Sequence, residues 1–321
     1  EAQYRNRKEW NDSLPETLYH VVPEPFDENR EIEWVGTWSL TRKQVTFVPA
    51  SYCYYGYFDK GPFSIMCDSN GSAAGNTIEE AILQGLMELI ERDSVAIWWY
   101  GMIRRPAVDI KSFGIPYLDR LEDYYAGINR EFWALDITAD LGIPTFVGVS
   151  RRIDRSVEDI VIGFGAHLDP RIALLRAMTE VNQFLPAVTK INPDGSTSYW
   201  FPDREAIDWW KSATLKNQPY LVPADNIPPR KAEDFEKLAG EDLKTDIETA
   251  VSAAEKHDLE VLVLDQTQPD VGIAVTKVLV PGLSHYWRRL GSPRLRNVPV
   301  KLGWLKKPRN EEEMNPVSIF F

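Results

Sequence analysis

The residues best able to do chemistry lie between Ser69 and Trp99. At about 100° per helical residue, Asn76, Glu80, Gln84, Glu88, Glu91 and Arg92 fall within one arc of roughly 160°. Ile82, Leu83, Leu86, Leu89 and Ile90 take the opposite side, and Met87 alone intrudes on the polar arc. Three carboxylates, an amide stripe and one guanidinium on one face form a set suited to a divalent cation and a phosphate. Glu88 and Glu91 stand three apart with like charge, which costs roughly 0.2–0.5 kcal/mol unless a positive group intervenes. The preceding Asp68-Ser69-Asn70-Gly71-Ser72-Ala73-Ala74-Gly75-Asn76 is built of small residues, so that backbone N–H groups can approach an anion at a helix N-terminus. It lacks the Gly-Lys-Ser/Thr ending of a P-loop. A solvated helix face capped by Thr77-x-x-Glu80 fits the same pattern, and residue chemistry alone leaves both readings open.

These residues need a scaffold. Asn76 to about Tyr100 reads as one long helix. The aromatic and β-branched runs at 33–40 and 45–48 read as antiparallel strands, with further strands at Phe132–Ile137, Thr145–Ser150 and Ile160–Gly165. A second helix should start at Asp169-Pro170 and run to about Phe184, where Pro186 discourages continuation. Residues 188–240 read as an irregular excursion with one short helix. Asp246–His257 then reads as a helix, and Val261–Asp265 and Val271–Val280 as strands. There is no internal repeat. The class is α+β, with mixed or antiparallel sheets packed against helices, and a single domain is favoured.

With 321 residues, 44% hydrophobic and 26% charged, the chain can bury a substantial core. A net charge of −12 without a long basic run argues against nucleic acid. Cys53 and Cys67 are too few for a disulfide framework, which points to a reducing compartment. No stretch approaches the roughly 18 apolar residues of a membrane span, and the first residues lack a signal core, so the expected location is cytoplasmic, away from membrane. Arg176 and Glu180 sit at ion-pair spacing. His167 and His285 have no ligand-type partners at metal spacing and read as structural. Lys301, Lys306, Lys307 and Arg309, after Arg288, Arg289, Arg294 and Arg296, form the one basic region, either solvated or drawing in an acidic ligand. Trp98-Trp99-Tyr100 reads as core.

The run from Ser69 through Glu88-Leu89-Ile90-Glu91-Arg92-Asp93 closely resembles the azoline-forming cyclodehydratases of the YcaO family. Supporting strings are Gly163-Phe164-Gly165-Ala166-His167-Leu168-Asp169-Pro170, Arg176 to Gln183, Asp265-Gln266-Thr267-Gln268-Pro269-Asp270 and Val280-Pro281-Gly282-Leu283. The resemblance implies the YcaO-type ATP-binding fold. It also implies an enzyme that uses ATP and Mg²⁺ to phosphorylate a peptide-bond oxygen, so that a Cys, Ser or Thr side chain of the same ribosomal precursor peptide closes a thiazoline or oxazoline. By the resemblance, Asn76, Glu80, Glu88, Glu91, Arg92 and Gln183 contact the nucleotide, and Glu80, Glu88 and Glu91 hold the metal. The implied partner is an E1-like, leader-binding domain, and a homodimer is compatible.

Three departures qualify the resemblance. Nothing upstream of Ser69 resembles the family's Gly-rich, Lys-containing loop followed by a Ser-x-x-x-Glu-x-x-Glu-Arg helix. With the initiator Met absent, this implies that residues 1–321 are the C-terminal major part of the domain, incomplete at the N-terminus. The Pro-x-Pro-x-Pro tail is reduced to Pro316, although the Phe321 carboxylate could keep the tail's role as proton acceptor. The family's Arg soon after the later glutamine is missing beyond Gln183. The alternatives are a thioamide- or amidine-forming YcaO enzyme, or a non-catalytic scaffold subunit without a complete ATP site.

Overall fold

Alternating aromatic and β-branched residues build the first hairpin, β1 (Trp34–Ser39) against β2 (Gln44–Pro49), with Lys43 in the left-handed region at its turn. The computed structural model describes residues 27–57, 67–201 and 203–319. A one-turn helix α1 (Ala50–Cys53) follows the hairpin. The hairpin joins an antiparallel five-stranded sheet of order β2-β1-β7-β8-β3, completed by β3 (Ser72–Gly75), β7 (Leu262–Asp265) and β8 (Ala274–Leu279). A second antiparallel sheet runs β4 (Arg130–Asp136), β5 (Thr145–Arg152), β6 (Val161–Ala166), with β6 at an edge.

The long helix α2 (Ile78–Gly101) links the two sheets. Its Thr77 cap accepts from the Glu80 N–H at 3.3 Å, and the helix ends at Met102 in the left-handed region. Leu83, Leu86, Met87 and Ile90 enter a core with Val251, Val278 and Val280 under the five-stranded sheet. Val95 to Tyr100 enter the larger core shared with β4, β5 and β6. One helix thus serves two cores, and its midsection, carrying Glu88, Glu91 and Arg92, lies where they meet.

Helix α4 (Pro170–Thr189), capped by Asp169, lies on β5 and β6. It comes so close that a Cβ on Gly163 would sit 2.5 Å from the Ala177 carbonyl oxygen, and one on Gly165 would sit 2.2 Å from that of Ala173. Only glycine allows this approach. The helix does not stop before Pro186 but continues through it to Thr189. Buried Phe184, Leu185, Ala187 and Val188 anchor that last stretch to the core and offset the hydrogen bond the proline removes.

Other differences have similar causes. The small residues read as a loop before α2 pair with β8 as β3, because an edge strand needs no bulky side chains when its neighbour supplies the ladder. Two helices were not read from the sequence, α3 (Pro116–Gly127) and α7 (Pro293–Lys301), both with Pro in the first turn. The excursion holds one α-helix, α5 (Arg204–Ser212), and α6 (Leu243–Glu255) begins earlier than read, at its Asp242 cap. Among the described residues no helix is long and apolar enough to cross a membrane.

Candidate functional site

Three carboxylates and two guanidiniums converge where α2, α4 and the edge of β6 meet. Glu88 and Glu91 come from α2. The third carboxylate is Glu180 of α4, brought in by the glycines of Gly163-Phe164-Gly165. The N–H groups of Phe164 and Ala166 project from the free edge of β6; Phe164 donates to Glu180 Oε2, and Ala166 donates to Glu91 Oε2 at 3.1 Å. An edge that would otherwise invite another strand is closed by carboxylates from two helices. Glu88 Oε2 accepts the Gly71 N–H at 3.0 Å, so that backbone group serves a glutamate.

Arg92 stands between its two acidic neighbours, Nη2 3.7 Å from Glu88 and Nη1 3.5 Å from Glu91, with its guanidinium 4.5 Å from the centre of the Tyr286 ring. Its Nε and Nη1 are buried, with no hydrogen-bond partner among the described residues. Arg176 takes Gln84 Oε1 at 2.6 Å and the Ala166 carbonyl at 3.2 Å, in place of the ion pair with Glu180 that their spacing suggested.

Charge balance at this junction is strained. Burial pushes the Glu91 carboxyl up to about 7, with Glu180 and Glu88 adding to the rise and Arg92 opposing it. Burial likewise raises Glu88 and Glu180. Desolvation works against the Arg92 charge, but the carboxylates, Glu91 foremost, hold it firmly protonated. Buried carboxylates with raised pKa values beside an arginine with unsatisfied donors have the chemistry that fits a divalent cation and a phosphate. Among the described residues, no group of three or more His, Cys, Asp or Glu side chains is placed to hold a metal alone. That suits Mg²⁺, which is usually held by one or two carboxylates and completes its shell with phosphate oxygens and water.

The sequence-derived set is therefore partly brought together. Glu88, Glu91 and Arg92 assemble. Glu80 does not join them: it lies two turns earlier, about 12 Å along the axis. Its Oε2 accepts from the Asn76 N–H at 2.7 Å and from Nδ2 at 2.8 Å, a cap for the exposed helix start. Gln183 is exposed on α4, one turn beyond Glu180. Phe321 lies outside the described residues. Sequence reasoning did not assign Glu180 to the site, although it faces the same way as Arg176 and follows a Gly-x-Gly that announces a close helix approach. It also treated the family's Glu-x-x-Glu-Arg as missing upstream, whereas Glu88, Glu91 and Arg92 have that spacing within α2, with Gln84 where the pattern has serine.

His167 is structural: its Nδ1 accepts the Asp169 N–H at 2.9 Å, and burial lowers its pKa. His285 is tied to Asp68, with Nε2 and Oδ2 2.8 Å apart.

Comparison with known proteins identifies the family. An uncharacterized protein of Methanothermobacter thermautotrophicus is 31% identical over 280 residues, 84% of this chain and 69% of that protein. A heterocyclase solved in complex with substrate and cofactor is 46% identical with a TM-score of 0.93, matching 99% of this chain but only 42% of its own length. The heterocyclase TruD is similar at 47% identity and a TM-score of 0.89, again over 99% of this chain and 44% of TruD. A YcaO protein of Methanopyrus kandleri, solved with AMPPCP and Mg²⁺, is 25% identical with a TM-score of 0.60 over 82% of this chain and 68% of its own. The chain thus spans less than half the length of the two heterocyclases. The model of the family described as YcaO cyclodehydratase, ATP- and Mg²⁺-binding, matches residues 8–284, a range that takes in the stretch before Ser69 and all the carboxylates described above. The chain belongs to the YcaO family.

Proposed function

We propose that this chain is the ATP- and Mg²⁺-dependent ring-forming part of a peptide heterocyclase, which closes a Cys, Ser or Thr side chain onto the preceding amide of a ribosomal precursor peptide as a thiazoline or oxazoline. The observation that carries the reading is the convergence of Glu88, Glu91 and Glu180 on Arg92, whose buried Nε and Nη1 lack hydrogen-bond partners among the described residues. Bound Mg-ATP would supply a phosphoryl group that converts the amide oxygen into a leaving group.

The residues of the chain would do the rest. Two carboxylates drawn from Glu88, Glu91 and Glu180 would hold the metal, and all three are kept in place by a backbone N–H. Arg92, fixed by the Tyr286 ring, would present its free donors to phosphate oxygens and neutralise charge that develops during transfer. No protein nucleophile is required, because the attacking group belongs to the peptide. The similarity to two heterocyclases at 46% and 47% identity favours ring formation over thioamide or amidine formation. Recognition of the leader peptide is assigned to a partner domain of the E1-like kind.

The test is to supply the protein, together with its leader-binding partner, with a cognate precursor peptide and Mg-ATP and to follow peptide mass. Loss of one water per ring, with one phosphate released, is expected. Phosphate release with no mass change in the peptide would refute the azoline reading.

A further inference from the structure

A second polar cluster adjoins the carboxylate site through Gly71 and Tyr286. Lys277 of β8 is 1% exposed, and its Nζ donates to the carbonyl oxygens of Asp68 (2.6 Å) and Asn70 (2.8 Å), with Asp68 Oδ1 at 3.7 Å. His285 accepts the Trp287 N–H at Nδ1 (2.9 Å), which leaves its ring proton on Nε2, 2.8 Å from Asp68 Oδ2. The Asn70 amide also lies 2.8 Å from that Nε2. A cavity of about 200 Å³, lined in part by Tyr52, Asn70, Leu89, Arg92 and His285, adjoins the cluster. Lys277 and Asp68 are buried and His285 is half-buried, and burying charged groups of this kind is costly unless they are paired.

Each tie in the cluster leads toward the carboxylate site. Lys277 fixes the carbonyls of Asp68 and Asn70, two of the three just before Gly71, and Gly71 is the residue whose N–H holds Glu88. Gly71 cannot adjust independently: it has a φ of +77°, its carbonyl accepts the Val278 N–H at 2.7 Å, and a Cβ there would meet the Val278 carbonyl at 2.2 Å. On the other branch, Asp68 holds His285, and the next residue, Tyr286, places its ring against Arg92. One cluster is thus connected both to Glu88, through Gly71, and to Arg92, through Tyr286.

We infer that Lys277, Asp68 and His285 are positioning residues for the Mg-ATP site, acting on Glu88 through the Gly71 N–H and on Arg92 through Tyr286. The inference rests on the reading of the site proposed above. The test compares wild type, Lys277→Met, His285→Phe and His285→Gln in the full chain, by calorimetric titration with Mg-ATP and by thermal unfolding without ligand. Partners of this kind usually change metal affinity or activity by about 10-fold or more. Lys277→Met and His285→Phe should therefore each weaken Mg-ATP binding by about 10-fold while still unfolding cooperatively, and His285→Gln, which retains a donor toward Asp68, should recover part of the loss. Lower melting temperatures with Mg-ATP affinity within about two-fold of wild type would mean the cluster serves only the fold and would overturn the inference. If wild type itself binds no Mg-ATP, the reading of the site fails, and this inference fails with it.

Discussion

The Glu91 carboxylate is where the proposed site and the stability of the protein oppose each other, so Glu91→Gln is the most informative single change. The side chain is 12% exposed, accepts the Ala166 N–H at 3.1 Å and lies 3.5 Å from Arg92. Glutamine keeps an acceptor for Ala166 and loses the charge. A rise of the carboxyl from 4.5 to about 7 means that, at about 1.4 kcal/mol per unit, its ionised form is disfavoured by up to about 3 kcal/mol near neutral pH. Glu180 shares that strain and Arg92 loses a partner, so the net gain expected on removing the charge is about 1 kcal/mol. In a chain of this size that corresponds to a melting temperature higher by roughly 2 °C in the absence of ligand. The same variant should lose the stabilisation that saturating Mg-ATP gives wild type, which at 100 times Kd is about 2.7 kcal/mol. Differential scanning fluorimetry with and without Mg-ATP reads both effects. A variant that is destabilised by more than about 2 kcal/mol without ligand, or that keeps the full Mg-ATP shift, would refute this account of Glu91.

Three further outcomes are expected. Because the folded state raises the Glu91 carboxyl above its unfolded value, it binds the proton more tightly than the unfolded chain does. Ligand-free stability carried by this group should therefore be greatest below pH 4.5 and fall as pH rises toward 7, a slope that denaturant titration across that window would detect and that Glu91→Gln should flatten. Gly165→Ala should drive α4 off β6, since the added carbon would lie 2.2 Å from the Ala173 carbonyl; a loss of more than about 2 kcal/mol in chemical unfolding is expected, and a neutral result would contradict the packing described. Arg92→Lys keeps the charge but not the planar fork, so Mg-ATP affinity measured by calorimetry should fall about 10-fold or more even though the cation remains.

Much of the scaffold could be read before the structure was known, and the exceptions are instructive. The α2 helix announced itself through its apolar spacing and the Thr77 cap, and Glu88, Glu91 and Arg92 were legible because like charges three apart ask for a counter-ion. Asn76 and Glu80, on the same arc, are bonded to each other at the helix start. Glu180 was hidden because its spacing from Arg176 has a local explanation, and only the tertiary approach licensed by Gly163 and Gly165 cancels it. The Asp68, Lys277 and His285 cluster was invisible for a related reason, as Asp68 lies more than 200 residues before the other two and meets them through β3 and β8 pairing. Pro186 misled because local backbone cost was outweighed by the burial of its neighbours.

The edge of β6 has a consequence for how the protein would report its own state. Two successive outward amides, Phe164 and Ala166, are held by ionisable groups from two different helices, so they are secured by bonds whose strength depends on what those groups carry. A proton or a cation on either carboxylate draws electron density away from the acceptor, and the strand feels it directly. Those two amides are thus natural spectroscopic sentinels: their exchange rates and nitrogen shifts would register occupancy of the carboxylates within the backbone itself, with no label attached.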